Sequence, residues 1–228
     1  MSATASSVPV VDIGSNSIKL LVAARGPEGT LAPRQSRTID ARISAGISRA
    51  APRLSEEGMS RGLEAIQALL ADAAPFSPER WALVATSAVR DAQNGNEFRE
   101  RVRAVTGHAI RILSGDEEAN LIGRGLTCDP ALADLRDFYV FDLGGGSLEC
   151  LRFADRQIQQ AVSLQLGCVR MTERFITDVS APLVQSEGTA LALHVLAELK
   201  RSGFRCPLAT PAAVFTGGTV TTVRSIKG

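Results

Sequence analysis

Two stretches of this chain repeat one pattern a long way apart. VVDIGSNSIKLLV starts at Val10, and VFDLGGGSLECLRF starts at Val140. Aligned, Asp12 meets Asp142, Ile13 meets Leu143, Gly14 meets Gly144, Ser17 meets Ser147, Ile18 meets Leu148 and Leu21 meets Leu151, at a constant offset of 130 residues. Each stretch reads as strand, acidic residue, glycine turn, serine, strand. Two such units in one chain of 228 residues predict a duplicated architecture, with the same hairpin in each half.

The residue types say what such a turn can hold. Glycines tolerate positive φ and let the backbone come close to a ligand. Consecutive backbone N–H groups in a tight turn make a concave nest for phosphate oxygens. Gly14, Ser15, Asn16 and Ser17 in the first turn, and Gly144, Gly145, Gly146 and Ser147 in the second, supply those amides together with neutral side-chain donors. Asp12 and Asp142 stand where a strand ends. A carboxylate cannot take phosphate directly, but it can hold Mg2+ or its waters, which then meet phosphate. Taken singly, each turn reads as an ordinary hairpin with Asp as a turn residue. The matched pair favours two phosphate turns. Two rival motifs are excluded. The chain has no G-x-x-x-x-G-K-[ST]. The turn at Gly144 runs into a strand rather than a helix and lacks the G-x-G-x-x-G spacing of a dinucleotide fold.

The rest of the chain alternates strands and helices. Val8 to Val11 and Ile18 to Ala23 predict the first hairpin, and Leu31 to Ile39 a third strand. From Ser55 onward, Met59, Leu63, Ile66, Leu69 and Leu70 form a helical stripe. Short strands follow at Trp81 to Ala85 and Ala109 to Leu113, around a helix at Asn96 to Val105. The helix of SGDEEANLIGRGL comes next. Strands at Phe138 to Phe141, Leu148 to Phe153 and Gln157 to Leu164 repeat the opening order. Helices at Met171 to Ile176 and Leu183 to Leu199, and a strand at Ala213 to Phe215, complete an α/β chain in two similar halves. Pro130 in CDPALADL suggests a boundary between them.

Hydrophobic residues make up 45% and charged residues 21% of the chain, with a net charge of +1. That is an ordinary globular composition with no general pull toward nucleic acid or membranes, so any anion site must be local. Cys128, Cys150, Cys168 and Cys206 are scattered, which argues against a zinc site or a disulfide framework. The N-terminus lacks a signal-peptide pattern. The expectation is a reduced, cytoplasmic protein.

Six motifs occur in order: DIGSNS (Asp12 to Ser17), ATSAVRDAQNG (Ala85 to Gly95), ILSGDEEA (Ile112 to Ala119), FDLGGGSLE (Phe141 to Glu149), LGCVRMTERF (Leu166 to Phe175) and FTGGTVTT (Phe215 to Thr222). Together they resemble the exopolyphosphatase / guanosine pentaphosphate phosphatase family, of the actin-like ATPase superfold, over nearly the whole chain from Val8 on. The resemblance implies an α/β fold of two similar actin-like (ribonuclease H-like) domains, residues 1–130 and 131–228, with mixed sheets flanked by helices and an active cleft between them. It implies hydrolysis of the terminal phosphoanhydride of inorganic polyphosphate, of the alarmone guanosine pentaphosphate, or of both, usually with Mg2+. An alarmone substrate would tie the protein to the stringent response.

By motif, the resemblance gives Asp12 and Asp142 to metal or water, with Glu118 as general base and further carboxylate at the metal. It gives the turns Gly14 to Ser17 and Gly144 to Ser147 to phosphate, Arg90 to a cationic phosphate contact, and Gly217, Gly218 and Thr219 to a further phosphate or nucleotide loop. On the residues alone, Arg90 reads as a surface arginine, and Arg170 and Arg174 with Glu173 as a charge cluster on a helix surface. His108 and His194 fit no constellation. Ser114 and Glu117 have capping-box spacing, which gives Glu117 a structural duty and leaves Glu118 in the first helical turn without one.

The sequence departs from the family pattern in two places. Leu148 stands where the family often has threonine. The chain stops at Gly228, soon after the third loop, so the second domain is expected to be C-terminally incomplete and to expose apolar surface, which a homodimer would cover. Two other functions remain open at this stage: a binding module that holds polyphosphate or an alarmone without turnover, and an actin-like kinase or ATPase.

Overall fold

Alternating apolar positions make half-buried strands of Ser7–Ile13 (β1) and Ile18–Arg25 (β2): Val11, Ile13, Ile18, Leu20, Val22 and Ala24 all point inward. The structure is a computed structural model that describes residues 7–26, 30–45, 47, 51–207 and 212–227. It divides into two compact units, Met1–Leu113 and Ser114–Gly228.

In the first unit, β1 pairs antiparallel with β2, and β2 with Leu31–Ile39 (β3). On its other side β1 pairs parallel with Ala82–Ala85 (β4), and β4 with Ile110–Ile112 (β5), giving the order β3-β2-β1-β4-β5. Glu56–Ala73 (α1) lays its stripe on this sheet, burying Met59, Ile66 and Leu69. Ser55 caps α1 by accepting from the Gly58 N–H at 3.0 Å. Gly62 is needed here because a Cβ would sit 2.8 Å from Ile43 and 3.0 Å from Phe98, both in the core. Ser87–Asp91 (α2) is too short to leave a periodic stripe in the sequence. Gly95–Thr106 (α3) buries Phe98 and Val102 and stops at Gly107, whose φ is 74°.

The second unit repeats the plan. Phe138–Leu143 (β6) pairs antiparallel with Leu148–Ala154 (β7), β7 with Gln157–Leu164 (β8), and β6 parallel with Ala212–Thr216 (β9), giving β8-β7-β6-β9. This matches the first four strands of the other sheet, pair for pair. Even the register agrees: Ile13 faces Ile18 and Leu143 faces Leu148 across their turns, and Asp12 and Asp142 neighbour Val84 and Thr216 in parallel pairs. The core is built on stacked Phe138 and Phe153, 4.4 Å between ring centroids, with Val140 and Leu151. Cys168–Phe175 (α5), Gln185–Ser202 (α6) and Gly218–Lys227 (α7) complete the unit. Leu193, Leu196, Phe215 and Ile226 are exposed.

One boundary differs from the sequence reading. Gly115–Thr127 (α4), expected in a first domain of residues 1–130, packs across β7 and β8 and belongs to the second unit. Ile122 and Leu126 pack on the core of that sheet, and Gly123 lets the helix settle there: a Cβ at 123 would lie 2.7 Å from Ile158 and 2.8 Å from Leu151. Arg156 then fastens the end of α4, donating to the Thr127 carbonyl at 3.0 Å and to those of Leu132 and Leu135 at 2.6 and 2.8 Å. Among the described residues no helix is long and apolar enough to cross a membrane.

Candidate active site

The two turns close with the same hydrogen bond. Gly14 N–H donates to the Ser17 carbonyl at 3.2 Å, and Gly144 N–H to the Ser147 carbonyl at 3.1 Å. What holds each turn from behind differs. In the first, the Asn16 carbonyl accepts from Arg42 N–H at 2.7 Å, and the Ser15 carbonyl accepts from Ser44 N–H at 3.2 Å and from the Ser44 hydroxyl at 3.1 Å. The Ser15 hydroxyl is buried against that of Ser87, at 3.0 Å. Ser17 donates to Asp40 at 2.7 Å. The side chains of Ser15 and Ser17 thus carry structural bonds.

In the second turn, helix α5 does the holding. Gly144 carbonyl accepts from Cys168 N–H at 2.9 Å, and Gly145 carbonyl from Val169 N–H at 2.9 Å and Arg170 N–H at 3.2 Å. The Gly146 carbonyl accepts from Arg170 Nε–H at 3.0 Å. A trans peptide sets its C=O and N–H in opposite directions, and no cis bond is present among the described residues. With the carbonyls of Gly144, Gly145 and Gly146 all turned to α5, the N–H groups of Gly145, Gly146 and Ser147 point the other way. Three consecutive amides so aligned can serve as an anion nest, here without positive φ at any of the three glycines. By the same reasoning the amides of Asn16 and Ser17 point away from the segment that anchors the first turn.

Asp12 and Asp142 end β1 and β6 beside these turns. Burial raises the Asp12 carboxyl above its ordinary value, and the charge of Lys19, its antiparallel neighbour, partly offsets this. Asp142 is paired in register with Glu149. Its Oδ1 also lies where a Cβ on Gly217 would fall, and Gly217, at φ 97°, is the residue that lets the third turn come so close. The Thr219 hydroxyl reaches Cys168 Sγ at 3.0 Å, so the third turn (Gly217, Gly218 and Thr219) and the helix behind the second turn are joined.

Glu149 is the residue that sequence reasoning missed. It is 2% exposed and accepts from Ser163 at 2.7 Å. Burial first, then the charge of Glu118, push its carboxyl up from 4.5 to about 7, with a smaller contribution from Asp142 against the hydrogen bonds of Ser163 and Ser147. Glu118, Asp142 and Glu149 therefore lie within electrostatic reach of one another in the second unit. The only sequence signal was the position of Glu149 at the end of FDLGGGSLE, two residues beyond the turn. Glu118 is half-buried in the first turn of α4, whose capping box forms as expected: Glu117 N–H donates to Ser114 Oγ at 3.1 Å and Ser114 N–H to Glu117 at 2.9 Å.

Arg90, at the end of α2, donates to the Leu113 carbonyl at 3.2 Å and lies 3.5 Å from Asp91. Arg170 corrects the sequence reading of a surface charge cluster: it is buried, 8% exposed, because its guanidinium is drawn to the Gly146 carbonyl. Only Arg174 and Glu173 of that cluster are exposed. Among the described residues no three His, Cys, Asp or Glu side chains gather closely enough to hold a metal by themselves. A hydrated Mg2+ does not require that. It keeps several waters and takes one or two carboxylates plus phosphate oxygens. Hard oxygen donors such as Asp142 and Glu118 fit that need.

A profile of the Ppx/GppA phosphatase family matches residues 21–227. The solved structure of an exopolyphosphatase-like protein aligns with a TM-score of 0.89 and 29% identity, over 97% of this chain and 69% of its own. The Aquifex aeolicus PPX-GPPA enzyme aligns with a TM-score of 0.76 and 26% identity, over 98% of this chain and 72% of its own. An exopolyphosphatase from Cytophaga hutchinsonii aligns with a TM-score of 0.85 over 96% of this chain and 69% of its own; at 20% identity that likeness speaks for the fold alone. The two mixed sheets with flanking helices are those of the actin-like fold.

Proposed function

The chain belongs to the Ppx/GppA phosphatase family, and from that premise we propose that it releases the terminal phosphate of inorganic polyphosphate, of guanosine pentaphosphate, or of both, by attack of water on the terminal phosphorus. The observation that carries this reading is the anion nest of Gly145, Gly146 and Ser147 set beside the carboxyls of Asp142, Glu149 and Glu118.

In this proposal Glu118 takes a proton from the attacking water as the new O–P bond forms. The bridging P–O bond breaks, and the shortened polyphosphate or guanosine tetraphosphate leaves with the electron pair on its oxygen. The amides of the second turn hold the phosphate oxygens of the bound chain, in the ground state as well as during reaction. Asp142 and Glu118 would hold Mg2+, which when bound supplies positive charge to the phosphate chain; Asp12, at the matching turn of the first unit, is likewise proposed as a metal carboxylate. Glu149 keeps Ser147 in place through the hydroxyl hydrogen bond. The turn Gly14 to Ser17, Arg90, and the turn Gly217 to Thr219 are proposed as further phosphate contacts. A cytoplasmic location is part of the same proposal.

The experiment is phosphate release from polyphosphate and from guanosine pentaphosphate, with Mg2+ supplied and then chelated. Release is expected to depend on the metal and to vanish in Glu118→Ala while the circular dichroism spectrum stays native. Unchanged release in that variant removes Glu118 as the base. Calorimetric binding of polyphosphate with no release over hours would instead make this a binding module, and phosphoryl transfer to a sugar would make it a kinase.

A further inference from the structure

Arg170 sits on an eight-residue helix whose next charged residues, Glu173 and Arg174, are exposed, yet it is itself buried. It grips two successive carbonyls of the second turn, Gly145 through its backbone N–H at 3.2 Å and Gly146 through Nε–H at 3.0 Å. Among the described residues no guanidinium bonds to a carbonyl of the first turn. Its carbonyls are held by backbone amides and a serine hydroxyl. Burying a guanidinium is costly unless it is well bonded, so its presence behind one turn of a matched pair calls for a reason.

We propose that Arg170 is a positioning residue for the second glycine turn, one that fixes and polarises the Gly146–Ser147 peptide so that its amide receives a phosphate oxygen. The proposal rests on the phosphate-hydrolysing reading of this site. The physical chain is short. A planar peptide with its carbonyl bound to a cation has a more strongly donating N–H on the opposite side, because hydrogen bonds in series polarise one another. Gly146 and Ser147 are both buried, so the field of the guanidinium is weakly screened there. Arg170 need never touch phosphate to act: it faces the back of the nest. Gly167, just before the helix, lies so close to Gly145 and Gly146 that a Cβ would overlap their backbone, which keeps α5 seated and Arg170 in reach.

Substitution by Gln keeps a donor and removes the charge; substitution by Lys keeps the charge and removes the fixed Nε geometry. Because the nest meets phosphate before the chemical step, the loss falls mainly on KM. Steady-state release from polyphosphate should show KM raised about tenfold in Arg170→Gln, the scale of a charge-assisted hydrogen bond, with kcat changed far less and Arg170→Lys in between. A second readout is independent of turnover: the 15N–1H amide resonances of Gly146 and Ser147 in the whole chain, titrated with tripolyphosphate. They should shift in the wild type, with affinity about tenfold weaker in Arg170→Gln. A merely structural role would lower the melting temperature and leave KM and the titration unmoved. That result overturns the proposal. If Arg170→Gln does not fold, wild-type amides that stay unmoved at saturating tripolyphosphate overturn it equally. Failure of the wild type to release phosphate bears on the enzymatic reading alone, since the amide titration still tests Arg170.

Discussion

Replacing Glu149 by Gln isolates one buried charge in the second unit. Glu149 is 2% exposed, and burial together with the charge of Glu118 raises its carboxyl from 4.5 to about 7. In the unfolded chain it ionises near 4.5, so on raising the pH the unfolded state loses this proton first. The native state therefore binds more protons in the window between about 4.5 and 7, and stability falls with pH there. Below that window the group adds no penalty; above it, the penalty reaches about 3 kcal/mol, from 1.36 kcal/mol for each pH unit between the two values. Gln is neutral throughout and nearly the same shape. At about pH 3.5, below the window, the two proteins should differ only by the altered bond to Ser163, on the order of 1 kcal/mol. From there to about pH 8.5 the stability of the variant relative to wild type should rise by up to about 3 kcal/mol. Urea unfolding followed by circular dichroism at closely spaced pH values measures this, provided several probes report one transition for the unit. A difference that stays flat with pH would refute the reasoning. Adding Glu118→Gln should shrink the pH-dependent part, because one of the two main causes of the shift is then gone.

Two further changes probe packing. Gly167→Ala pushes a methyl group into the backbone of Gly145 and Gly146; α5 must lift from the turn, and we expect a loss of roughly 2 kcal/mol or more together with weakened phosphate release. A melting temperature equal to wild type with full activity would contradict that placement. Asn94→Ala removes a side chain that accepts from Leu54 N–H at 2.9 Å and donates to Leu54 carbonyl at 3.0 Å in the interior of the first unit. Stranding both groups should cost about 2–4 kcal/mol in denaturant unfolding; a cost well under 1 kcal/mol would mean that Leu54 finds other partners.

The strands, the longer helices other than α7 and the two glycine turns were legible in the sequence because each depends on near neighbours, while α2 and α7 left no readable stripe. Alternation at Val11, Ile13, Ile18 and Leu20 writes a hairpin into adjacent residues, and the stripe from Met59 to Leu69 writes a helix. The capping box at Ser114 and Glu117 needs only a spacing of three. The matched turns of Asp12 and Asp142 needed only an internal comparison, and they recur with the same closing hydrogen bond. Burial and protonation are different in kind. Whether Arg170 lies on the surface depends on how closely Gly167 lets α5 approach the Gly146 carbonyl, and whether Glu149 keeps a proton depends on Ser163 and Glu118, reached only once β8 and α4 are packed. Helix α4 itself follows in sequence from the first unit, and its packing, Gly123 against Leu151 and Ile158 with Ile122 and Leu126 on the same core, assigns it to the second. Local chemistry named the turns; desolvation by distant neighbours decided which charges stand behind and beside them.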